Sequence, residues 1–221
     1  GNVKRAFDYR KVFPKMIETW RKDWGQGDFP FYWVQIADYL NESSVPSEFS
    51  LFAEIRESQT LTLNKLKNLG QAVIIDLGEA RDIHPRNKRD VASRLARIAL
   101  ARDYGLEIPY KNPSYAGMEI GDGFIVLDFN DIGDRLYSFD SNELKGFILC
   151  GEDGVFSKAK AGIIDGSKIK VWAKGINDPV AVRYAWESNP ICNIYSQTGS
   201  TLLPLTPFRT DRFTLKSEKP N

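Results

Sequence analysis

His84 is the only histidine in the chain, so a general base of ordinary pKa has one possible identity. A lone histidine is more often a surface or core side chain than a catalyst, and its surroundings have to carry the case. His84 follows the apolar run Ala72-Val73-Ile74-Ile75-Asp76, lies two residues beyond Asp82, and is backed by Pro85, which stiffens the chain. In extended backbone, residues two apart project to one side. Asp82 can therefore accept a hydrogen bond from one ring nitrogen, fix the tautomer, and leave the other nitrogen to take a proton from a nucleophile. That is two thirds of a hydrolytic triad, with Asp76 and Glu79 as other candidates for the acid.

A nucleophile to match is harder to find. No G-x-S-x-G elbow occurs, Ser167 falls in a predicted hairpin turn, and Ser58 falls inside a predicted helix. The residues imply no metal and no cofactor. One histidine and two distant cysteines, Cys150 and Cys192, cannot make a zinc set. Asp128 to Gly133 begins like a calcium loop, but Ile132 stands where a ligand belongs, so a strand-connecting turn is expected. Two cysteines do not decide a redox compartment.

Positioning His84 requires an α/β layer. Phe13, Met16, Ile17, Trp20 and Trp24 recur at helical spacing, predicting a helix from Tyr9 to Trp24 with one buried stripe. Phe31 to Ala37 reads as a parallel strand covered on both faces. Phe52, Ile55, Gln59, Thr62 and Leu66 predict a second helix, capped by Ser47 or Ser50. Ala72 to Asp76 is a second strand, and Val91, Leu95, Ile98 and Ala99 form the face of a third helix. Ligands of such layers gather outside the carboxyl ends of the strands, where the loop Leu77 to Lys88 lies.

Past Ile108 the pattern becomes short strands between Gly, Asp and Asn turns, around 124–127, 147–149, 169–172 and 180–184. Asp165-Gly166 between two of them is a hairpin signal. A β-sandwich of about a hundred residues is expected, with the boundary between Tyr104 and Pro113.

The 221 residues allow one large unit or two modest ones. Hydrophobic residues at 42% and charged ones at 27% fit a globular protein. With 30 basic against 29 acidic residues and no basic run, the chain is not built to track phosphates, which argues against nucleic acid as a partner. No apolar run is long enough for a membrane span. The chain does not begin with Met, and a piece of a longer protein is expected.

The stretches Trp24 to Phe31 (WGQGDFPF), Arg56-Glu57-Ser58-Gln59 and Asp82 to Lys88 (DIHPRNK) resemble, in that order, the C-terminal half of the sialate O-acetylesterase family of SGNH/GDSL hydrolases. So do Gly151-Glu152-Asp153-Gly154, Val182 to Trp186 and Pro207 to Asp211 further on. The resemblance implies a fold: residues 1–106 as the C-terminal part of an SGNH-type three-layer α/β/α domain, and 107–221 as a β-sandwich-like domain. It also implies a role for His84, whose I-H-P context is that of the family's general base. The superfamily's acid lies three residues before the histidine, where this chain has Arg81, so Asp82 is chosen as the nearest carboxylate.

The family's serine lies in an upstream G-Q-S-N motif that this chain does not contain, so the nucleophile is expected in the N-terminal half of the same protein. Asn2 is expected as the last residue of a G-E-S-N motif that helps form the oxyanion hole. Arg56, with Gln59, is a candidate for binding a sialic acid carboxylate. The implied substrates are O-acetylated sialic acid or other acetylated carbohydrates, the implied location secreted or periplasmic, and this chain alone is expected to be inactive. The alternative is a carbohydrate-binding or purely structural β module, with Tyr110, Tyr115, Trp172 and Trp186 as stacking candidates. Trp20, Trp24 and Trp33 are expected in the core.

Overall fold

The computed structural model describes residues 3–40 and 49–218. After a 3₁₀ turn at Val3–Arg5, helix α1 spans Ala6–Trp24 and stops at Gly25, whose φ of 65° and N–H bond to the Arg21 carbonyl form a left-handed cap. Strand β1 (Phe31–Val34), helix α2 (Leu51–Thr62) and strand β2 (Leu69–Ala72) follow, with β1 and β2 parallel and in register from Phe31 against Leu69. Phe13 and Ile17 of α1 pack on Trp33 and Leu69.

The tryptophan expectation needs correction. Trp33 is buried, but Trp20 and Trp24 are 48% and 69% exposed. The sheet under α1 begins only at Phe31, so the last turns of the helix overhang the loop before it. Trp20 meets the Phe31 ring and Trp24 meets Phe29, and no further layer among the described residues covers them.

Strand β2 also pairs three residues earlier than its apolar run suggests. Val73, Ile74 and Ile75 are buried yet lie past the ladder. Apolar runs report burial, not pairing. The outer edge of β2 is closed by side chains: Arg102 donates to the Leu69 carbonyl, Arg94 to the Val73 carbonyl, and Asn112 accepts from Val73 N–H. Charged residues on an edge keep it from recruiting a further strand. Helix α3 (Lys88–Arg102) completes this half, starting at Asn87, whose side chain accepts from Asp90 N–H.

The rest is antiparallel. Strands β3 (Ser114–Gly121), β4 (Phe124–Asn130), β5 (Arg135–Ser138), β6 (Phe147–Gly151), β7 (Ser157–Lys158), β8 (Lys160–Ile164), β9 (Lys168–Trp172), β10 (Pro179–Tyr184), β11 (Ile194–Thr198), β12 (Thr201–Pro204) and β13 (Phe208–Arg209) make three sheets. Their orders are β3-β4-β9-β8, β13-β10-β6-β7 and β12-β11-β5. The β8–β9 turn has both Asp165 and Gly166 at positive φ, 51° and 67°, which is why that dipeptide is there. Ile125, Leu127, Ile169 and Val171 face Phe147, Leu149, Val182, Tyr184 and Phe208 across one core, each contributing about 1.5–3 kcal/mol by burial.

That core also takes in Val73 and Ile75, so the first half is anchored in the second. The chain is thus mixed α/β with mainly antiparallel sheets. No helix among the described residues is long and apolar enough to cross a membrane.

Candidate functional site

The loop from Asp76 to Asn87 is held at both ends before it presents anything. At its start Asp76 receives both guanidinium arms of Arg94 at 2.5 and 2.7 Å, and the Tyr195 hydroxyl at 3.1 Å. This fastens the exit of the buried 73–75 segment to α3 and β11. Two residues on, Gly78 donates its N–H to the Asp38 carboxylate at 2.7 Å. A Cβ at Gly78 would fall 2.1 to 2.5 Å from atoms of Asp38, a distance no side chain tolerates. Burial pushes the Asp38 carboxyl above its usual range, with the Gly78 N–H pulling the other way.

The loop then closes on itself. Asp82 N–H bonds the Glu79 carbonyl, and Glu79 pairs with Arg86 through its backbone N–H at 3.1 Å and its guanidinium at 3.3 Å. Asn87 converts the return path into the α3 N-cap. At the tip, the His84 side chain is 83% exposed. The Asp82 carboxylate accepts His84 N–H at 2.9 Å and lies 3.5 Å from Nδ1. That backbone N–H, more than the ring, holds the Asp82 carboxyl below its usual range.

Chemically, this is an imidazole presented to solvent with a carboxylate beside Nδ1 and no partner on Nε2 among the described residues. At 3.5 Å the Asp82–Nδ1 contact is longer than an ordinary N–H···O hydrogen bond. Of the other two candidate acids, Asp76 is occupied by Arg94 and Tyr195, and Glu79 by Arg86.

Arg56 lies elsewhere in role and environment. It is fully buried, and its guanidinium donates to the carbonyls of Ile36, Ala37, Glu187 and Ser188 at 2.6 to 3.0 Å. Burial lowers its pKa to about 10, which still leaves it charged at neutral pH. A side chain enclosed this way holds backbone together and presents no face to a sugar carboxylate, which corrects the substrate-binding expectation. The Gln59 side-chain oxygen is similarly engaged, accepting Ile36 N–H at 2.9 Å. Asn2 lies outside the described residues. Ser58 is buried and donates to the Ala6 and Glu54 carbonyls, so it is no activated hydroxyl.

The expected turn at Asp128 to Gly133 is present: β4 ends at Asn130, Asp131 has φ of 58°, and Asp128 and Asp131 pair with Lys168 and Lys111. Cys150 and Cys192 are free thiols, pushed up by burial to about 11 and about 12, so neither is a nucleophile at neutral pH.

Asp38, Gly78, Arg94 and Tyr195 were missed by sequence reasoning. Asp38 alone had a signal, standing just past the carboxyl end of an apolar strand. Tyr195 is 119 positions from its partner Asp76.

A parallel pair thus carries, past its carboxyl end, a braced loop with an exposed histidine beside a carboxylate, and comparison with known proteins shows what such a chain is similar to. No family model matches the chain. The structure matches a carbohydrate acetylesterase from Xanthomonas citri with a TM-score of 0.85 and 40% identity, covering 94% of this chain and 47% of that one.

Among curated proteins, the chain is 32% identical to the mouse sialate O-acetylesterase and 27% identical to the human one, over 90% of its own length in each case. It spans about 40% of the length of these relatives. The chain is a relative of the sialate O-acetylesterases.

Proposed function

We propose that the chain supplies the general base of a serine carbohydrate O-acetylesterase. The observation that carries this is His84 itself: an exposed imidazole beside Asp82, on a loop braced at both ends, in a chain whose relatives are acetylesterases. In this reading the whole protein adds an N-terminal half bearing the serine. That half extends the parallel sheet along the edge of β1, whose Tyr32 and Val34 peptide groups face away from β2, into an SGNH-type three-layer domain. Residues 1–106 belong to that domain and 107–221 form the β unit that braces it.

The chemistry follows from the parts. His84 Nε2 takes the proton of the serine hydroxyl as its oxygen attacks the acetyl carbonyl. The sugar oxygen leaves with that proton, and water, deprotonated by the same nitrogen, releases acetate from the acyl-enzyme. Backbone and Asn donors of the N-terminal half, with Asn2 at its end, hold the oxyanion. O-acetylated sialic acid or a related acetylated sugar is the substrate, and a secreted or periplasmic setting suits such glycans.

The test compares acetate release from O-acetylated sialic acid, acetylated xylan and p-nitrophenyl acetate by this chain and by the whole protein. Activity confined to the whole protein is expected. Activity in the isolated chain would place the nucleophile within it and overturn the reading.

A further inference from the structure

The outer face of the β3-β4-β9-β8 sheet differs from an ordinary solvated strand face. Ile125, Leu127, Ile169 and Val171 point inward with no exposure, so strand alternation turns Phe124, Val126, Lys170 and Trp172 outward. The register sets Gly121 against Phe124, and Lys170 between Val126 and Gly162. Glycine inside a strand weakens it and often marks close approach by another group. At Gly121 the approaching group is the Phe124 ring, and Gly162 has the Trp172 indole beside it at ordinary contact distance. A Cβ on Gly121 would meet the Phe124 ring at 2.4 Å, and one on Gly162 would touch the Trp172 indole at 3.8 Å.

The Phe124 ring therefore lies down over Gly121, and the Trp172 indole reaches across toward Gly162 while keeping 37% of its surface exposed. The Lys170 ammonium stands 3.7 Å from the Phe124 ring centre. The β3–β4 turn, with Gly123 at φ 75° and its N–H bonded to the Asn177 carbonyl, fixes Asp122 at the end of the row. Asp122, Gly123, Phe124, Lys170 and Trp172 together line an open cleft of about 310 Å³, at the small end of ligand-site volumes.

We propose that this cleft is a binding subsite for one neutral pyranose ring of a glycan. The indole face suits the C–H face of a sugar. Asp122 accepts and Lys170 donates at the ring's hydroxyls, which need both. An anionic ligand would face Asp122, a cationic one Lys170, and an apolar protein surface would desolvate both charges without pairing them. The subsite shares no residue with the His84 loop and does not depend on the esterase reading.

The test is calorimetric titration of the chain with xylotetraose, cellotetraose and galactotetraose, together with amide chemical-shift mapping. At least one tetraose should bind, and Trp172→Ala should weaken it by about tenfold or more. Trp24→Ala, which removes a still more exposed indole on α1, should leave it unchanged. Shifts should gather at 122–124 and 170–172. If Trp172→Ala does not fold, the mapping on the unsubstituted chain decides alone. Failure of all three sugars to bind, equal binding by the Trp172 variant, or shifts centred elsewhere would overturn the subsite, whatever the esterase assay reports.

Discussion

Arg56 and His84 come from neighbouring parts of the same half and both carry a cationic or ionisable side chain, yet one has no exposure and the other is 83% exposed. Around Arg56 the structure spends donors on carbonyls, and the same habit runs through a buried ladder joining the two halves. Arg10 pairs with Glu57, Glu57 with Arg209, Arg209 with Asp211, and Asp211 with Arg183. Trp186 lies under the guanidinium groups of Arg183 and Arg209. Nearby, Glu54 accepts the N–H groups of Lys216 and Ser217. Around His84 the opposite holds: the bonds go to the backbone of the loop, and the imidazole stands exposed with only the Asp82 carboxylate beside it among the described residues. Charge that is fully paired and enclosed builds the frame, while charge left open on a rigid support is available for chemistry.

Substitutions on the two sides should therefore separate into loss of fold and loss of function. The largest effect is expected for Arg56→Ala, which strands four carbonyls in the interior and should cost roughly 3–5 kcal/mol in urea unfolding. Unchanged stability would mean those carbonyls find other donors. Asp211→Asn should cost about 3 kcal/mol at neutral pH, because it removes the negative charge shared by two buried arginines and turns one acceptor oxygen into a donor facing them.

Asp211 also predicts a pH dependence. Burial alone would raise its carboxyl pKa, but the Arg183 and Arg209 guanidinium groups outweigh it and the net shift is downward. A depressed acid contributes stability that is complete above its unfolded value of about 3.9 and is lost as pH falls through the folded one. Thermal unfolding at stepped pH below about 4 should accordingly destabilise the unsubstituted chain more steeply than Asp211→Asn.

On the loop side the effects on fold shrink. Gly78→Ala should cost about 1–3 kcal/mol, because its Cβ cannot share space with Asp38. In the whole protein it should lower acetate release further than stability alone explains, since it displaces the loop bearing His84. Asp82→Asn is the mildest: circular dichroism melting should not move, and turnover should fall by about tenfold or less, reporting ring orientation only.

The parts that could be read from sequence share a physical reason. Helix periodicity located α1, α2 and α3 because each turns its apolar residues to one side, even where, as in α3, only Ile98 is fully buried, and Asp165-Gly166 located its hairpin because few residues accept positive φ at both positions. The loop bearing His84 was legible for the same reason, as polar residues following an apolar run. Trp20 and Trp24 failed because a stripe predicts a buried face only as far as there is something to bury it against. Arg56 failed because its four acceptors, at 36, 37, 187 and 188, are set by tertiary folding that no local spacing reveals. Among the braces of the His84 loop, Arg94 and Tyr195 are invisible to local pattern on the same ground, while Asp38 shows only as a residue just past an apolar strand.

The most direct measurement of the central claim is acetate release by the whole protein carrying His84→Ala, with and without added imidazole. The side chain is exposed, so the variant should fold and melt like the unsubstituted protein. Turnover should fall by about 10²–10⁴, and free imidazole should restore part of it by occupying the vacated position. Turnover that survives the substitution, or a loss accompanied by an equal loss of fold, would contradict His84 as the base.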